Sequence, residues 1–184
     1  MRKIILLSVL CLALAVGNVY AAQPKPIPGN ALPDFTLPAP GSGSERSYLG
    51  LSGPFQVSNV KSDLVVIQIF SMYCPYCQKD APNMNQLFSK IESDAATKGK
   101  IKIIGVGAGN SQMEVDTFRK RYNVAFPLLP DPDYKIHDIM GQPRTPFFVV
   151  VRTKPGKVVF TKLGAYDSPE EFFNALKAAL KEAK

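Results

Sequence analysis

Hydrophobic positions in this chain follow two periods. Leu64-Val65-Val66-Ile67-Gln68-Ile69-Phe70 is an almost unbroken apolar, β-branched run, the pattern of a strand buried on both faces. Ile101 to Val106 and Phe147 to Val151 repeat it and predict two more strands. Elsewhere the period becomes helical. Met84, Leu87, Phe88 and Ile91 predict a helix from Pro75 to Lys98, bent at Pro82. Ser111 with Glu114 three residues on is a capping box, and Val115, Phe118 and Tyr122 share one face of the helix it opens. A short strand over Phe126 to Leu129 and a short helix over Tyr134 to Met140 follow. Lys154-Pro155-Gly156-Lys157 reads as a hairpin turn into a strand from Val158 to Leu163. Ser168 as N-cap, Pro169 at the first helical position and Glu171 open a final helix that buries Phe172, Phe173, Leu176 and Leu180.

Residues 22–63 lack either period. Pro24, Pro26, Pro28, Pro33, Pro38, Pro40 and Pro54, with Gly41-Ser42-Gly43-Ser44, exclude long helices. They leave an extended arm with short strands at Phe35 to Leu37 and Phe55 to Val57. The order of elements predicts an α/β fold: a central mixed β-sheet with helices on both faces, preceded by this extended/β arm.

A hydrophobic fraction of 46% with 20% charged residues is enough to bury a core and excludes a disordered or coiled-coil chain. The 184 residues suit one domain and a targeting segment. Met1-Arg2-Lys3, the apolar run Ile4 to Val16 and Val19-Tyr20-Ala21 are the three parts of a secretory signal cleaved after Ala21. The apolar run falls short of the ~20 residues that span a bilayer, so a membrane anchor is the weaker reading. Leu10 before Cys11 argues against lipid attachment. The expected organisation is therefore a signal peptide at 1–21, the Pro/Gly-rich arm at 22–63 and the folded domain at 64–184, in the periplasm or secreted. Loss of Arg2 and Lys3 lowers the formal charge from +7 to about +5. Basic residues are interspersed and not clustered, so nucleic acid is not an expected partner.

Cleavage also removes Cys11 and leaves Cys74 and Cys77 in Tyr73-Cys74-Pro75-Tyr76-Cys77. The strand that ends at Phe70 delivers Cys74 to a helix N-terminus, where free N–H groups and the helix dipole favour a thiolate. Cys77, one turn further in, is placed to attack a mixed disulfide formed on Cys74. Pro75 suits the first turn, which needs no donor from its nitrogen. Zinc needs about four ligands, and two cysteines with the distant His137 do not supply them, so no metal is expected. Attached haem needs a histidine after the second cysteine, where Gln78 stands. A bridge across so short a loop constrains the unfolded chain little, so redox exchange outweighs a structural disulfide. His137 reads as a surface or half-buried helix residue.

These residues resemble the thioredoxin superfamily, and within it the TlpA/ResA-type periplasmic thiol-disulfide oxidoreductases. The resemblance covers residues 30 to 183 and rests on Gly29 to Leu37, the strand into Cys74-Pro75-Tyr76-Cys77, Asp80 with Pro82, and Thr145-Pro146 ahead of Phe147 to Val151. It implies a thioredoxin-like fold, a redox-active Cys74/Cys77 disulfide as the only redox group, and no cofactor. It also implies a cis Pro146 facing the cysteines, with Thr145 offering backbone hydrogen bonds to a peptide. Pro143 is a poorer candidate, because it leaves Pro146 inside a strand, where it removes a ladder donor. Tyr73, Tyr76 and Phe147 either form an apolar rim for a peptide substrate or pack locally. The relatives usually have Trp where Tyr73 stands; thioredoxins proper bury an Asp at the position of Gln68. ResA-like proteins have Glu where Asp80 stands, which makes Asp80 a candidate to assist Cys77 deprotonation or a first-turn acid favoured by the helix dipole. The implied partners are protein thiols and disulfides and a membrane electron donor of the CcdA/DsbD type; the implied role is a reductase, with cytochrome c maturation as one setting. Three alternatives stand beside it: an oxidising disulfide donor, a thioredoxin-fold binding module without turnover, and a peroxiredoxin-type thiol peroxidase. Ile67 and Ser71 stand where the last would have Pro and Thr.

Overall fold

The computed structural model describes residues 25–182, so the expected signal peptide at 1–21 lies outside the described residues. Every residue of β1 (Leu64–Phe70) is buried, as a continuous apolar run requires of a central strand. It pairs in parallel with β2 (Ile101–Ala108) and antiparallel with β4 (Phe147–Arg152). Beyond them lie β3 (Leu128–Asp131), parallel to β2, and β5 (Lys157–Leu163), antiparallel to β4. The mixed sheet thus has the order β3-β2-β1-β4-β5, with β1 at its centre.

Alternation along the strands divides the core in two. Leu64, Val66 and Phe70, with Ile101, Ile103, Phe148 and Val150, pack against α2 (Pro75–Ser93), α3 (Gln112–Tyr122) and α5 (Pro169–Lys181). Val65, Ile67 and Ile69, with Ile104, Val106, Val149 and Val151, face α1 (Gly43–Leu49), α4 (Lys135–Ile139) and the N-terminal arm. Gly105 is required where it lies: a Cβ there would stand 2.4 Å from Leu128 Cδ2 and 3.3 Å from the Phe70 ring.

The arm differs from the extended segment read in the sequence. Its two expected strands reduce to a single bridge, Leu37 with Phe55, and Ala31 bridges to Lys157 at the edge of β5. Between them α1 forms, because Ser42 and Glu45 cap each other's backbone, and Val57–Asn59 makes a 3-10 turn. Phe35, Leu37, Leu49, Phe55, Val57 and Val60 are all buried against the sheet. Two other boundaries move. The helix expected to reach Lys98 ends at Ser93, where Asp94 takes up the Ala96 N–H at 2.7 Å and the Thr97 hydroxyl donates to Ile91 O at 3.0 Å. The strand expected at Phe126 starts at Leu128, after Pro127. Leu180 is half-buried at the margin of the first core.

Candidate active site

β1 ends at Phe70, and the chain turns through Ser71-Met72-Tyr73 to Cys74, the N-cap of α2. The Cys74 N–H donates to Ser71 O at 3.1 Å, and the first helical bond runs from the Gln78 N–H to Cys74 O at 3.0 Å. Pro75 occupies the first helical position. Cys74 is partly exposed and Cys77 buried, both as free thiols.

The two sulfurs are set apart electrostatically. Partial burial raises the Cys74 thiol, but hydrogen bonding by the Thr145 side chain, by the backbone and thiol of Cys77 and by the Tyr76 backbone outweighs it and leaves the pKa below the ordinary value. Burial pushes Cys77 up to about 12, against a hydrogen bond from the Ser71 backbone that favours its thiolate. One thiol is therefore primed and reachable, the other protonated and sheltered.

The facing loop is in contact. The Cys74 thiol donates to Thr145 O at 3.2 Å, and the Thr145–Pro146 peptide bond is cis. Among the described residues Lys154–Pro155 is also cis, whereas Pro143 is not. Pro146 is buried at the entry to β4, with its carbonyl accepting from the Gly164 N–H at 2.8 Å. His137, half-buried, shares a 2.9 Å hydrogen bond between its Nε2 and Pro143 O, which ties α4 to this loop.

Tyr73 and Tyr76 are 66% and 73% exposed, so both flank the reachable sulfur from the solvent side. The Tyr73 hydroxyl donates to Glu114 at the start of α3. Phe147 is placed otherwise than expected for a rim residue: it is half-buried against the core of the opposite face, because Phe148 takes the face of Cys77 and strand neighbours alternate. Asp80, three residues after Cys77, is 3% exposed. Burial lifts its carboxyl to about 6, against a hydrogen bond from Asn83, and its Oδ2 has no partner. A solvated first-turn acid is thereby excluded. Among the described residues no group of three or more His, Cys, Asp or Glu is placed to hold a metal ion.

Sequence reasoning missed Asn110. It is fully buried beyond the end of β2 and accepts from the Met72 N–H at 2.8 Å. A lone Asn in a Gly-rich loop carries no periodic signal.

A mixed five-stranded sheet with a Cys-x-x-Cys pair at the head of α2 and a cis-Pro loop against it defines the thioredoxin-like thiol-disulfide oxidoreductases. The chain belongs to the AhpC/TSA family, whose sequence profile matches residues 28–165. Among its curated relatives, thiol-disulfide oxidoreductase ResA of Bacillus cereus is 27% identical over 168 residues, covering 88% of this chain and 86% of that one. The namesake protein of Halalkalibacterium halodurans is 25% identical over 115 residues, 61% of this chain and 62% of the relative. A secreted Mycobacterium tuberculosis disulfide oxidoreductase of known structure shares the fold, with a TM-score of 0.58 at 23% identity over 78% of this chain and 95% of that one.

Proposed function

We propose that the chain is an extracytoplasmic reductase of protein disulfides. The observation that carries this reading is the asymmetry of the dithiol beneath the Thr145–Pro146 loop: a primed Cys74 in contact with Thr145 O and a sheltered Cys77 pushed up to about 12. The Cys74 thiolate attacks one sulfur of a substrate disulfide, and the other sulfur leaves as a thiolate. Cys77 then loses its proton and attacks Cys74 Sγ, releasing the second substrate thiol and closing the Cys74–Cys77 disulfide. Two electrons pass from the dithiol to the substrate. Cys74 gives up its proton to solvent before it attacks, which frees Thr145 O, the acceptor of the thiol, for a peptide N–H. Tyr73 and Tyr76 supply apolar area for that peptide.

Asp80 is the proton acceptor for Cys77 in this reading, being on the same helix three residues on and buried without a partner on Oδ2. A reductase is favoured because little in the site stabilises a second thiolate, and a weakly stabilised dithiol returns its electrons readily. The N-terminal signal pattern and the secreted mycobacterial relative support a location outside the cytoplasm. There the regenerating partner is a membrane electron donor of the CcdA/DsbD type, and oxidised apocytochrome c is one substrate of the right chemistry. Among the described residues no helix is long and apolar enough to cross a membrane.

Equilibration with defined thiol buffers tests the direction. A reduction potential near about −270 mV or lower is expected, and one near about −120 mV reassigns the protein as a disulfide donor. Rapid sulfenic acid formation at Cys74 under peroxide, outpacing disulfide exchange, marks a peroxidase instead.

A further inference from the structure

Met72 lies two residues before the attacking thiol, in the turn between β1 and α2, where no ladder or helical bond reaches it. Both of its backbone polar groups are nevertheless taken, each by a side chain. Its N–H donates to Asn110 Oδ1 at 2.8 Å, and its carbonyl accepts from Gln78 Nε2 at 2.8 Å. The two side chains come from different elements: Gln78 from the first turns of α2, Asn110 from the loop that joins β2 to α3.

Asn110 is itself fixed. Its N–H donates to Gly107 O at 3.0 Å and its carbonyl accepts from the Asp131 N–H at 3.2 Å. A Cβ on Gly107 would come within 3.0 Å of Asn110 Cβ and 3.1 Å of its Oδ1, so the close seat of this side chain depends on that glycine. Asn110 is fully buried, and its Nδ2 has no partner. An amide buried with no protein partner for its donor is not there for packing, since an apolar residue would fill the space without that penalty. What it supplies is a single acceptor, directed at Met72.

The segment so held is the one that shapes the dithiol. Ser71 O receives the Cys74 N–H at 3.1 Å, which ties the attacking residue directly to this turn. We propose that Asn110 and Gln78 are positioning residues of the exchange site, clamping Met72 from both sides so that the Ser71–Tyr73 turn holds Cys74 at the N-cap of α2. The inference rests on Cys74 and Cys77 being the exchanging pair, but not on the direction of exchange. Neither side chain touches the substrate or the sulfurs; both act through the backbone.

The test uses Asn110→Ala and Gln78→Ala in the reduced protein, reading the pH profile of Cys74 alkylation by iodoacetamide and the equilibrium with glutathione. Loss of either arm of the clamp is expected to move the alkylation profile to higher pH, and to shift the glutathione equilibrium toward the protein disulfide by about threefold, as befits one misaligned hydrogen bond. A purely structural role lowers the melting temperature and moves neither readout. A folded Asn110→Ala variant with the parent's profile and equilibrium overturns the proposal. If that variant does not fold, Gln78→Ala decides by the same criterion, since Gln78 is only half-buried. Alkylation needs no substrate, so failure to form a reversible disulfide counts against the exchange reading and leaves this test intact.

Discussion

At the scale of single residues the site is a set of groups held away from their ordinary protonation, and Asp80 is the clearest. Burial raises its carboxyl from 3.8 to about 6, so the folded state disfavours the charged form. The consequence for stability has a definite sign. Below about pH 3 the group is protonated folded or unfolded and costs nothing; the penalty grows through the interval and is complete above about pH 6, where it approaches about 3 kcal/mol. Asp80→Asn is therefore expected to unfold at higher urea than the parent at pH 7.5, with most of that advantage gone at pH 4, while its disulfide exchange slows. Equal urea midpoints at both pH values would contradict the burial argument. Equal exchange rates with the stability difference intact would remove Asp80 from the proton path alone. Its place three residues after Cys77 was legible in the sequence. Its burial was not, because only the fold brings Met84, Phe148 and Phe172 around the same cavity. Phe147 shows the converse: its neighbourhood was legible, but which of two alternating faces it takes depends on the register of β4 against β1.

At the scale of elements, α1 is held less by its own turns than by one carboxylate. Glu45 is buried and accepts from the Ser42 N–H at 2.9 Å, from Arg119 on α3 at 2.5 Å and from the Leu128 N–H of β3 at 3.4 Å. Arg119 also donates to Phe126 O at 3.0 Å, so the ion pair stitches the arm to α3 and to the approach of β3. Removing the buried Glu45 carboxylate leaves the half-buried Arg119 without its counter-charge and the Ser42 and Leu128 N–H groups without this acceptor. Glu45→Ala is expected to lower unfolding free energy by about 2 to 4 kcal/mol in urea titration, with the glutathione equilibrium of the dithiol unchanged. A loss under about 0.5 kcal/mol would mean that water replaces the carboxylate freely. The same Ser-x-x-Glu signature was read at Ser111 and passed over at Ser42. Val115, Phe118 and Tyr122 follow the first at helical spacing, whereas Gly43 and the flanking prolines disguise the second and leave only Leu49 as a buried apolar anchor. The strands needed no such context, because β1, β2 and β4 each bury both faces and their composition alone declares them.

At the scale of the whole molecule, the arm belongs to the core that its composition hid. Pro and Gly exclude regular elements, yet from Phe35 to Val60 the chain places Phe35, Leu37, Leu49, Phe55, Val57 and Val60 over Val65, Ile67, Ile104 and Val149. Irregular backbone buries apolar area as well as a helix does, provided its polar groups find partners. Here they do: the Leu37 and Phe55 N–H groups exchange bonds with each other's carbonyls at 2.8 and 3.0 Å, and the Gly29 N–H reaches Val158 O at 2.9 Å. The sheet's two faces are thus covered by different means, three long helices on the dithiol side and the arm with two short helices on the other. A chain shortened to begin at Ser62 keeps both cysteines, all five strands and the Thr145–Pro146 loop, but exposes that second face. At roughly 1.5 to 3 kcal/mol for each large apolar side chain withdrawn from it, the loss is comparable with the whole stability of an ordinary domain. The shortened chain is therefore expected to lose cooperative urea unfolding and to aggregate or bind hydrophobic dye. A sharp transition near the parent's midpoint would instead make residues 64–184 a complete domain and the arm an appendage to it.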